Sequence, residues 1–448
     1  MNWQEVFTFQ APATIIFGPG AVAKLPELVA GFGGRAVVVS DPGVAKAGIL
    51  PRILSLLSDA GIGAEPFTDV EPNPSVETVN AAVDRFRRTR ASFVIGAGGG
   101  SAMDVAKVVG VLGAHGGTVH DYEGLGKVPA PGVPVAAIPT TAGTGSEVTI
   151  FSVITDRERR FKMTVGSPHT VPQVALCDPE LTLSMPQPLT AATGMDALTH
   201  AIESYVNTAH NPIAKALALE AMRLIGRSLR TAYAAGRDLR ARTEMLLGST
   251  MAAMAFTRTR LGNVHAMSHP VGAHFDVPHG VANAILLPYV MEWNLIACYD
   301  TYPAVAAALG EPVAGLPRHA AAAAAVETVR RLARDVQIPA RLRDVGVLRE
   351  GIPAMTDDAM KSGNVLVNPR LTTAFVDVAF PDDLSMLAEA SGHLTPSLVR
   401  EQIGRLPAPV RKIAVHLKPA HYDRIVDELG RAAIPNLTIG RLGEDYDC

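Results

Sequence analysis

The stretch GNVHAMSHPVGAHFDVPHG, residues 262–280, carries four of the chain's thirteen histidines: His265, His269, His274 and His279. Neutral imidazole is the commonest metal ligand among side chains, and four rings gathered among glycines and prolines, with few charged neighbours, form no solvated face. Upstream, in TGMDALTHAIESY, Asp196 and His200 stand four residues apart in a helical pattern, so a carboxylate and an imidazole leave one helix face together. Such a pair also serves as an ordinary surface hydrogen bond, and the neighbouring histidine cluster is what shifts the balance toward metal ligation. One aspartate with two or three histidines suits a divalent first-row ion, with a position left open for a substrate oxygen. Zinc, iron, nickel and manganese are not separated by that donor set. Glu203 falls on the same helix face as Asp196 and is a candidate for orienting a ligand, against the alternative of a solvent-facing helix residue.

Two glycine-rich turns offer a second chemistry. In GAGGGSAMDVAK, residues 96–107, a strand ends and a helix is predicted to begin near Ser101. Gly98, Gly99 and Gly100 would then let a ligand approach free backbone amides at a helix N-terminus, an arrangement that favours a pyrophosphate. The spacing departs from the GxGxxG dinucleotide fingerprint, and a plain strand-to-helix turn is the alternative. PTTAGTGSE, residues 139–147, supplies a second turn whose hydroxyls on Thr140, Thr141 and Thr144 can reach the same phosphates. Asp41, at the end of an early strand, can accept hydrogen bonds from an adenosine ribose, and its charge would repel a 2′-phosphate, which favours NAD over NADP. Its alternative is a cap before Pro42.

The elements that must position these residues follow from periodicity. RAVVVSD (35–41) and SFVIGAGGGS (92–101) read as short buried parallel strands, AGILPRILSLLSDAG and SVETVNAAVDRFRRT between them as helices, and PVAAIPTTAGTGSEV as a further strand and turn. Strand and helix in alternation predict a doubly wound parallel sheet. From about Pro188 the strand signals stop, and TAATGMDALTHAIESYV, AKALALEAMRLIGRSL, TEMLLGSTMAAMAF and HAAAAAAVETVRRLARDV read as helices. Beyond about Pro381, MLAEASGHL, SLVREQIGRL and HYDRIVDELGRAA are short helical segments separated by prolines, before a polar tail. The expected organisation is an α/β dinucleotide-binding domain over 1–187, an all-helical domain over 188–380 that carries the ligands, and a helical C-terminal extension over 381–448 with no assigned role.

Composition bounds the function. A chain of 448 residues, 48% apolar and 19% charged, buries large cores and is globular. A net charge of −3 without a long basic run lacks the electrostatic footprint of a nucleic-acid binder. The first residues show no basic segment followed by an apolar one, and no later run is long and apolar enough for a membrane span, so a soluble cytoplasmic protein is expected. Cys177, Cys298 and Cys448 are odd in number and far apart, which argues against a disulfide framework and a cysteine-rich zinc site. Any metal must therefore take nitrogen and oxygen ligands.

The segments GGGSAMDVAK, PTTAGTGSEVT, GMDALTHAIESY and HAMSHPVGAHFDVPHGVANAILLPYV occur in order, and residues 5–378 closely resemble the iron-containing, group III alcohol dehydrogenases, the group of lactaldehyde reductase and 1,3-propanediol dehydrogenase. The resemblance implies a dehydroquinate synthase-like architecture, an α/β nucleotide-binding domain followed by a helical domain with the metal in the cleft between them. It assigns the metal, Fe2+ with Zn2+ or another divalent ion as alternatives, to Asp196, His200, His265 and His279. His269 becomes a non-ligand active-site histidine that faces substrate or relays protons, and His274 matches no role beyond lining or structure. The same carry-over gives Gly99, Gly100 and Ser101 to the pyrophosphate, Asp41 to the adenosine ribose, and Thr140, Thr141 and Thr144 to the cofactor. Asn73 and Lys162 fall at its ribose or phosphate edge and Asp104 near the nicotinamide. For Lys162 the alternative is an exposed lysine on a hairpin.

The implied activity is a metal-dependent, NAD(P)-linked alcohol dehydrogenase or aldehyde reductase. Hydride would pass between nicotinamide C4 and a small aliphatic alcohol or aldehyde whose oxygen the metal polarises. Thr149, Phe151, Phe256 and Phe275 are the substrate-wall candidates, small or apolar, with a core role as the alternative for Phe256 and Phe275. A homo-oligomer, a dimer or larger, is implied by family analogy. Rival readings are a same-fold enzyme of other specificity (polyol dehydrogenase, maleylacetate reductase or hydroxyacid-oxoacid transhydrogenase) and a non-catalytic scaffold that binds partners through residues 381–448, which the resemblance does not cover.

Overall fold

The computed structural model describes Phe7, Phe9 and residues 14–371, 373–391, 393–403, 411–415, 417–434 and 437–440. The chain divides into two compact units, Met1–Asn364 and Val365–Cys448.

The first unit begins with the expected parallel sheet. Strands β1 (Thr14–Phe17), β2 (Arg35–Val39), β3 (Gly63–Phe67), β4 (Phe93–Gly98), β6 (Val135–Pro139) and β9 (Val174–Cys177) form one sheet in the order β1-β9-β6-β4-β2-β3, parallel at every pairing. Connecting helices α1 (Leu25–Val29), α2 (Pro42–Lys46), α3 (Ile49–Asp59), α4 (Val76–Thr89) and α5 (Gly100–His115) cover its faces. Side chains alternate across a strand, and in β2 they enter different cores: Val37 and Val39 pack with α4 and α5, Ala36 and Val38 with α1 and α3. Both faces are buried, and for that reason VVV and FVI read as continuous apolar runs. Beside this sheet lie the short β5 (Gly124–Leu125) and an antiparallel hairpin of β7 (Phe151–Asp156) and β8 (Phe161–Gly166), with Thr155 opposite Lys162.

The helical part runs through α6 (Gln187–Val206), α7 (Pro212–Ala234), α8 (Leu239–Thr259), α9 (Asn263–Phe275), α10 (His279–Asn294), α11 (Tyr302–Ala308), α12 (Arg318–Asp335) and α13 (Ile352–Met360). The histidine-rich stretch is therefore two helices, α9 and α10, separated by a turn through Asp276. The α/β and helical parts, expected as separate domains meeting at 187/188, fall within one compact unit, because Ala142, Val148, Ala175 and Cys177 of the sheet region share a core with α6, α7 and α8.

The C-terminal unit differs from the helical extension expected over 381–448. It holds three parallel strands, β10 (Thr373–Asp377), β11 (Arg411–Val415) and β12 (Leu437–Ile439), with helices α14 (Ser385–Ser391), α15 (Pro396–Ile403) and α16 (Tyr422–Ala432). Its start moves from 381 to 365, because Thr373–Asp377 pairs with β11 inside this unit. Val378, Val399, Ala414, Ile425 and Leu429 form a core of its own. Strands of three to five residues give too little alternation to separate from loop by pattern alone. The polar tail, Cys448 included, lies outside the described residues. Among the described residues no helix is long and apolar enough to cross a membrane.

Candidate metal and cofactor site

Helix α6 presents Asp196 and His200, α9 presents His265, and α10 opens with His279. One donor atom from each of these four residues lies within 4.8 Å of all the others. Gly280 makes the approach possible: a Cβ there would meet Ala192 O at 2.5 Å, so only glycine lets the start of α10 press onto α6 beside Asp196. The Nε2 atoms of His200, His265 and His279 lie 3.9, 4.0 and 3.9 Å from Asp196 Oδ1.

The far sides of the rings decide their tautomers. His265 Nδ1 donates to Glu203 Oε2 at 2.6 Å, which leaves Nε2 as an acceptor facing the cluster. Glu203 Oε1 accepts from Val264 N at 2.7 Å, so this carboxylate ties α6 to the first turn of α9 and is buried, not solvent-facing. Burial pushes its carboxyl up to about 7, against the backbone amides of Gly262 and Val264 that hold it down. His200 Nδ1 faces Gly143 O at 3.3 Å, with the same consequence for its Nε2. Burial, reinforced for His279 by Lys162 and the neighbouring rings, holds His265 and His279 well below the ordinary imidazole range, hence neutral. Three imidazole nitrogens and one carboxylate oxygen converging on one point fit a divalent cation.

Asn283, one turn after His279, has its Nδ2 2.6 Å from Asp196 Oδ1, 3.0 Å from His265 Nε2 and 3.1 Å from His279 Nε2. Sequence reasoning passed over it, although its i,i+4 spacing from His279 was a usable signal.

His269 is not among the converging donors. Its ring is 5.4 Å from that of His279 and 6.1 Å from that of His265, and burial among them depresses its pKa to about 3, so it is a neutral imidazole beside the cluster. His274 points elsewhere, its Nε2 bonding Asp358 Oδ2 of α13 at 2.8 Å.

The cofactor candidates assemble around the start of α5. Gly99 is its N-cap with no side-chain cap, so the first amides of the helix have no internal partner. A Cβ on Gly100 would meet Thr144 Cγ2 at 2.7 Å, and Gly99 faces Thr141, so the two turns lie against each other. Thr140 N bonds Gly98 O at 2.9 Å and joins them. Asp41 makes the cap that was its alternative, Oδ1 accepting from Val44 N at 3.0 Å, while Oδ2 faces Gly98. Asp104 has both oxygens engaged inside the protein, by Ser146 Oγ at 2.5 Å and Val153 N at 2.8 Å, so it holds the second turn to β7.

Lys107, which sequence reasoning missed, completes that link. Its buried ammonium contacts Ser146 O, Ser146 Oγ and Thr149 Oγ1 at 3.1, 3.1 and 3.2 Å and Phe151 O at 2.5 Å, and burial lowers its pKa to about 8 against the pull of Asp104 and Glu147.

Lys162 is 8% exposed, which removes the exposed-hairpin alternative. Its ammonium donates to Asn73 Oδ1 at 2.8 Å, and Asn73 Nδ2 donates to Asp276 Oδ1 at 3.0 Å, linking β8 to the end of α9. Desolvation lowers Lys162 to about 8 against the attraction of Asp276 and Asp196.

A cavity of about 500 Å³ is lined by Gly100, Ser101 and Thr144 and also by the four donor residues and His269. Phe151 and Phe256 line it, stacked 6.2 Å apart, and Phe256 stacks on His200 at 4.5 Å. Phe275 does not line it: the ring packs with Val347 and Met355 and against Gly351, which is the core alternative.

An uncapped helix start in a parallel α/β sheet, sharing one cavity with a three-histidine, one-carboxylate cluster, defines a nucleotide-linked metalloenzyme. Residues 12–179 match the family described as iron-containing alcohol dehydrogenase, and residues 190–375 match the Fe-containing alcohol dehydrogenase family, C-terminal. The chain belongs to the iron-containing alcohol dehydrogenase family. It is 42% identical to 1,3-propanediol dehydrogenase of Citrobacter freundii over 82% of this chain and 95% of that protein, and 41% identical to lactaldehyde reductase of Escherichia coli K12 over 80% and 94%. A crystal structure of 1,3-propanediol oxidoreductase superposes with a TM-score of 0.80 at 42% identity, covering 82% of this chain and 96% of that one. The protein is an alcohol dehydrogenase or aldehyde reductase that works with NAD and a divalent metal. The family match stops at residue 375, so nearly all of the C-terminal unit lies beyond it.

Proposed function

We propose that the chain reduces a small aliphatic aldehyde, or oxidises the matching alcohol, in the cavity lined by Asp196, His200, His265 and His279, with Fe2+ as the working metal and NAD preferred over NADP. The observation that carries the reading is the convergence of three histidine Nε2 atoms on Asp196 Oδ1 in a cavity shared with the uncapped start of α5. When bound, the metal polarises the substrate oxygen and NAD accepts or returns the hydride.

The chain's own residues do the rest. Glu203 and Gly143 fix the His265 and His200 rings so that their acceptor nitrogens point inward. Gly99, Gly100 and Ser101 offer amides to the pyrophosphate, and Thr140, Thr141 and Thr144 supply hydroxyls beside them. Asp41 Oδ2, free of the cap its partner oxygen makes, accepts from the adenosine ribose and repels a 2′-phosphate. Asn73 and Lys162 hold the ribose or phosphate edge, and Asp104 shapes the nicotinamide end through Ser146 and β7. His269 is the residue placed to pass a proton between the substrate oxygen and solvent, and Phe151 and Phe256 shelter the reacting carbon from water. By family analogy the enzyme is a cytoplasmic homo-oligomer.

The test is elemental analysis of protein produced in iron-supplemented medium under low oxygen, coupled to NADH and NADPH assays over short alcohols and aldehydes. About one metal per chain and NAD-linked turnover that chelation abolishes are expected. Turnover by metal-free protein would overturn the four-residue assignment.

A further inference from the structure

Arg260 is placed with more care than a linker residue needs. It follows α8 with φ 65 and ψ −171, a backbone conformation that glycine adopts freely and other residues rarely do. Its surroundings over-determine that conformation. Buried Asn207 donates Nδ2 to the carbonyls of both Thr259 and Arg260, 3.0 Å each, and the Arg260 amide donates to Phe256 O at 2.8 Å. Asn207 is itself held, its side-chain oxygen by Ala209 N at 3.2 Å and its carbonyl by Lys215 Nζ at 3.2 Å. Glycine would make the same turn without strain, so the backbone alone does not account for an arginine here.

The side chain lines the same cavity as the metal cluster, in a wall with Leu261, Lys361 and Gly363. Its guanidinium makes no ion pair among the described residues, whereas Lys361 beside it is neutralised by Asp358 at 2.8 Å. Arg160, also cavity-lining and also without an ion pair among the described residues, stands at the tip of the β7–β8 hairpin, two residues from Lys162 on the cofactor's side. The same lining has an apolar part: Leu261, Phe256 stacked on His200, and Phe151 stacked on Phe256. An oxygen-binding cluster, an apolar lining that suits methylenes, and a guanidinium with no ion pair among the described residues describe a substrate with a carbonyl at one end and an anion at the other.

We propose that Arg260 is a specificity-determining residue that takes a terminal carboxylate, or an anion of similar shape, so that the preferred substrates are short aldehydes carrying a negative charge at the far end. This rests on the reading of the Asp196, His200, His265 and His279 cluster as the place where the substrate oxygen is held. The test compares 4-oxobutanoate with butanal, of equal chain length, in the metal-loaded enzyme with NADH. The ratio of kcat/KM, charged over neutral, is expected to exceed about ten in the wild type. It should fall at least ten-fold in Arg260→Asn, chosen because asparagine is polar but carries no charge, mainly through KM. Arg260→Lys should retain part of the preference, since a point charge replaces the fork.

A wild-type ratio near one, or a ratio unchanged in Arg260→Asn, overturns the proposal. Calorimetric titration with succinate needs no turnover: weaker binding by Arg260→Asn than by the wild type supports the assignment, and equal binding overturns it. If metal-loaded enzyme reduces neither aldehyde, the reading of the cluster fails, while the succinate comparison still decides Arg260.

Discussion

At the scale of single residues, the site separates candidate metal ligands from the groups that aim them. Glu203 touches no part of the cavity, yet its two oxygens orient His265 and pin the start of α9. Glu203→Ala should therefore weaken metal affinity about 10- to 100-fold, read by titration of the metal-free protein, with folding otherwise retained. His269 stands outside the convergent set, so His269→Ala should keep about one metal per chain while lowering kcat by about 10²-fold; loss of the metal would make it a ligand instead. Lys162 gives a pH signature. Burial lowers its pKa to about 8, and on its proposed role the anionic cofactor would bind the protonated form, so the KM for NADH should rise as pH climbs through 8. Lys162→Arg, charged throughout, should flatten that rise, and a rise that persists would assign it to another group.

At the scale of elements, the two turns proposed for the cofactor are held together by glycines and one buried lysine. A methyl group on Gly100 would strike the Thr144 side chain at 2.7 Å, so Gly100→Ala should force the two turns apart. The expected result is a rise in NADH Kd of about ten-fold or more with metal content unchanged, by fluorescence titration and elemental analysis. How much of this was legible differs by element. The strand and turn residues of β4 and β6 read clearly, since parallel strands buried on both faces leave uninterrupted apolar runs. Helices α9 and α10 did not, because Pro270, Pro288 and the glycines mask their periodicity, and what keeps them helical is packing against α6 and the bond from Glu203. Lys107 was invisible for a related reason: a lysine in VAKVVGV looks like a solvent-facing position until four acceptors from another segment are folded onto it.

For the whole molecule, every ligand and cofactor candidate lies in Met1–Asn364. A chain ending at Asn364 is therefore expected to fold, bind metal and bind NADH like the full chain, by elemental analysis and fluorescence titration; loss of either would show that Val365–Cys448 completes the site. The role of that second unit was not legible, since the three parallel strands among its described residues are short and the family match ends at 375.

What the sequence determined by itself was the chemistry available: a carboxylate and histidines at ligand spacing, glycines before a helix, and the alternation of strand and helix that brings a nucleotide to a sheet edge. Those are local facts, set by 3.6-residue and two-residue periodicity and by the conformational freedom of glycine. Only the tertiary structure decided which histidines converge and which do not, that Glu203 and Asn283 stand behind the candidate ligands, that Phe275 belongs to the core, and that an arginine with no ion pair among the described residues lines the cavity. Those are long-range outcomes, fixed by packing among α6, α8, α9 and α10, and no spacing along the chain encodes the distance between residues such as Asp196 and His279 that meet only across a fold.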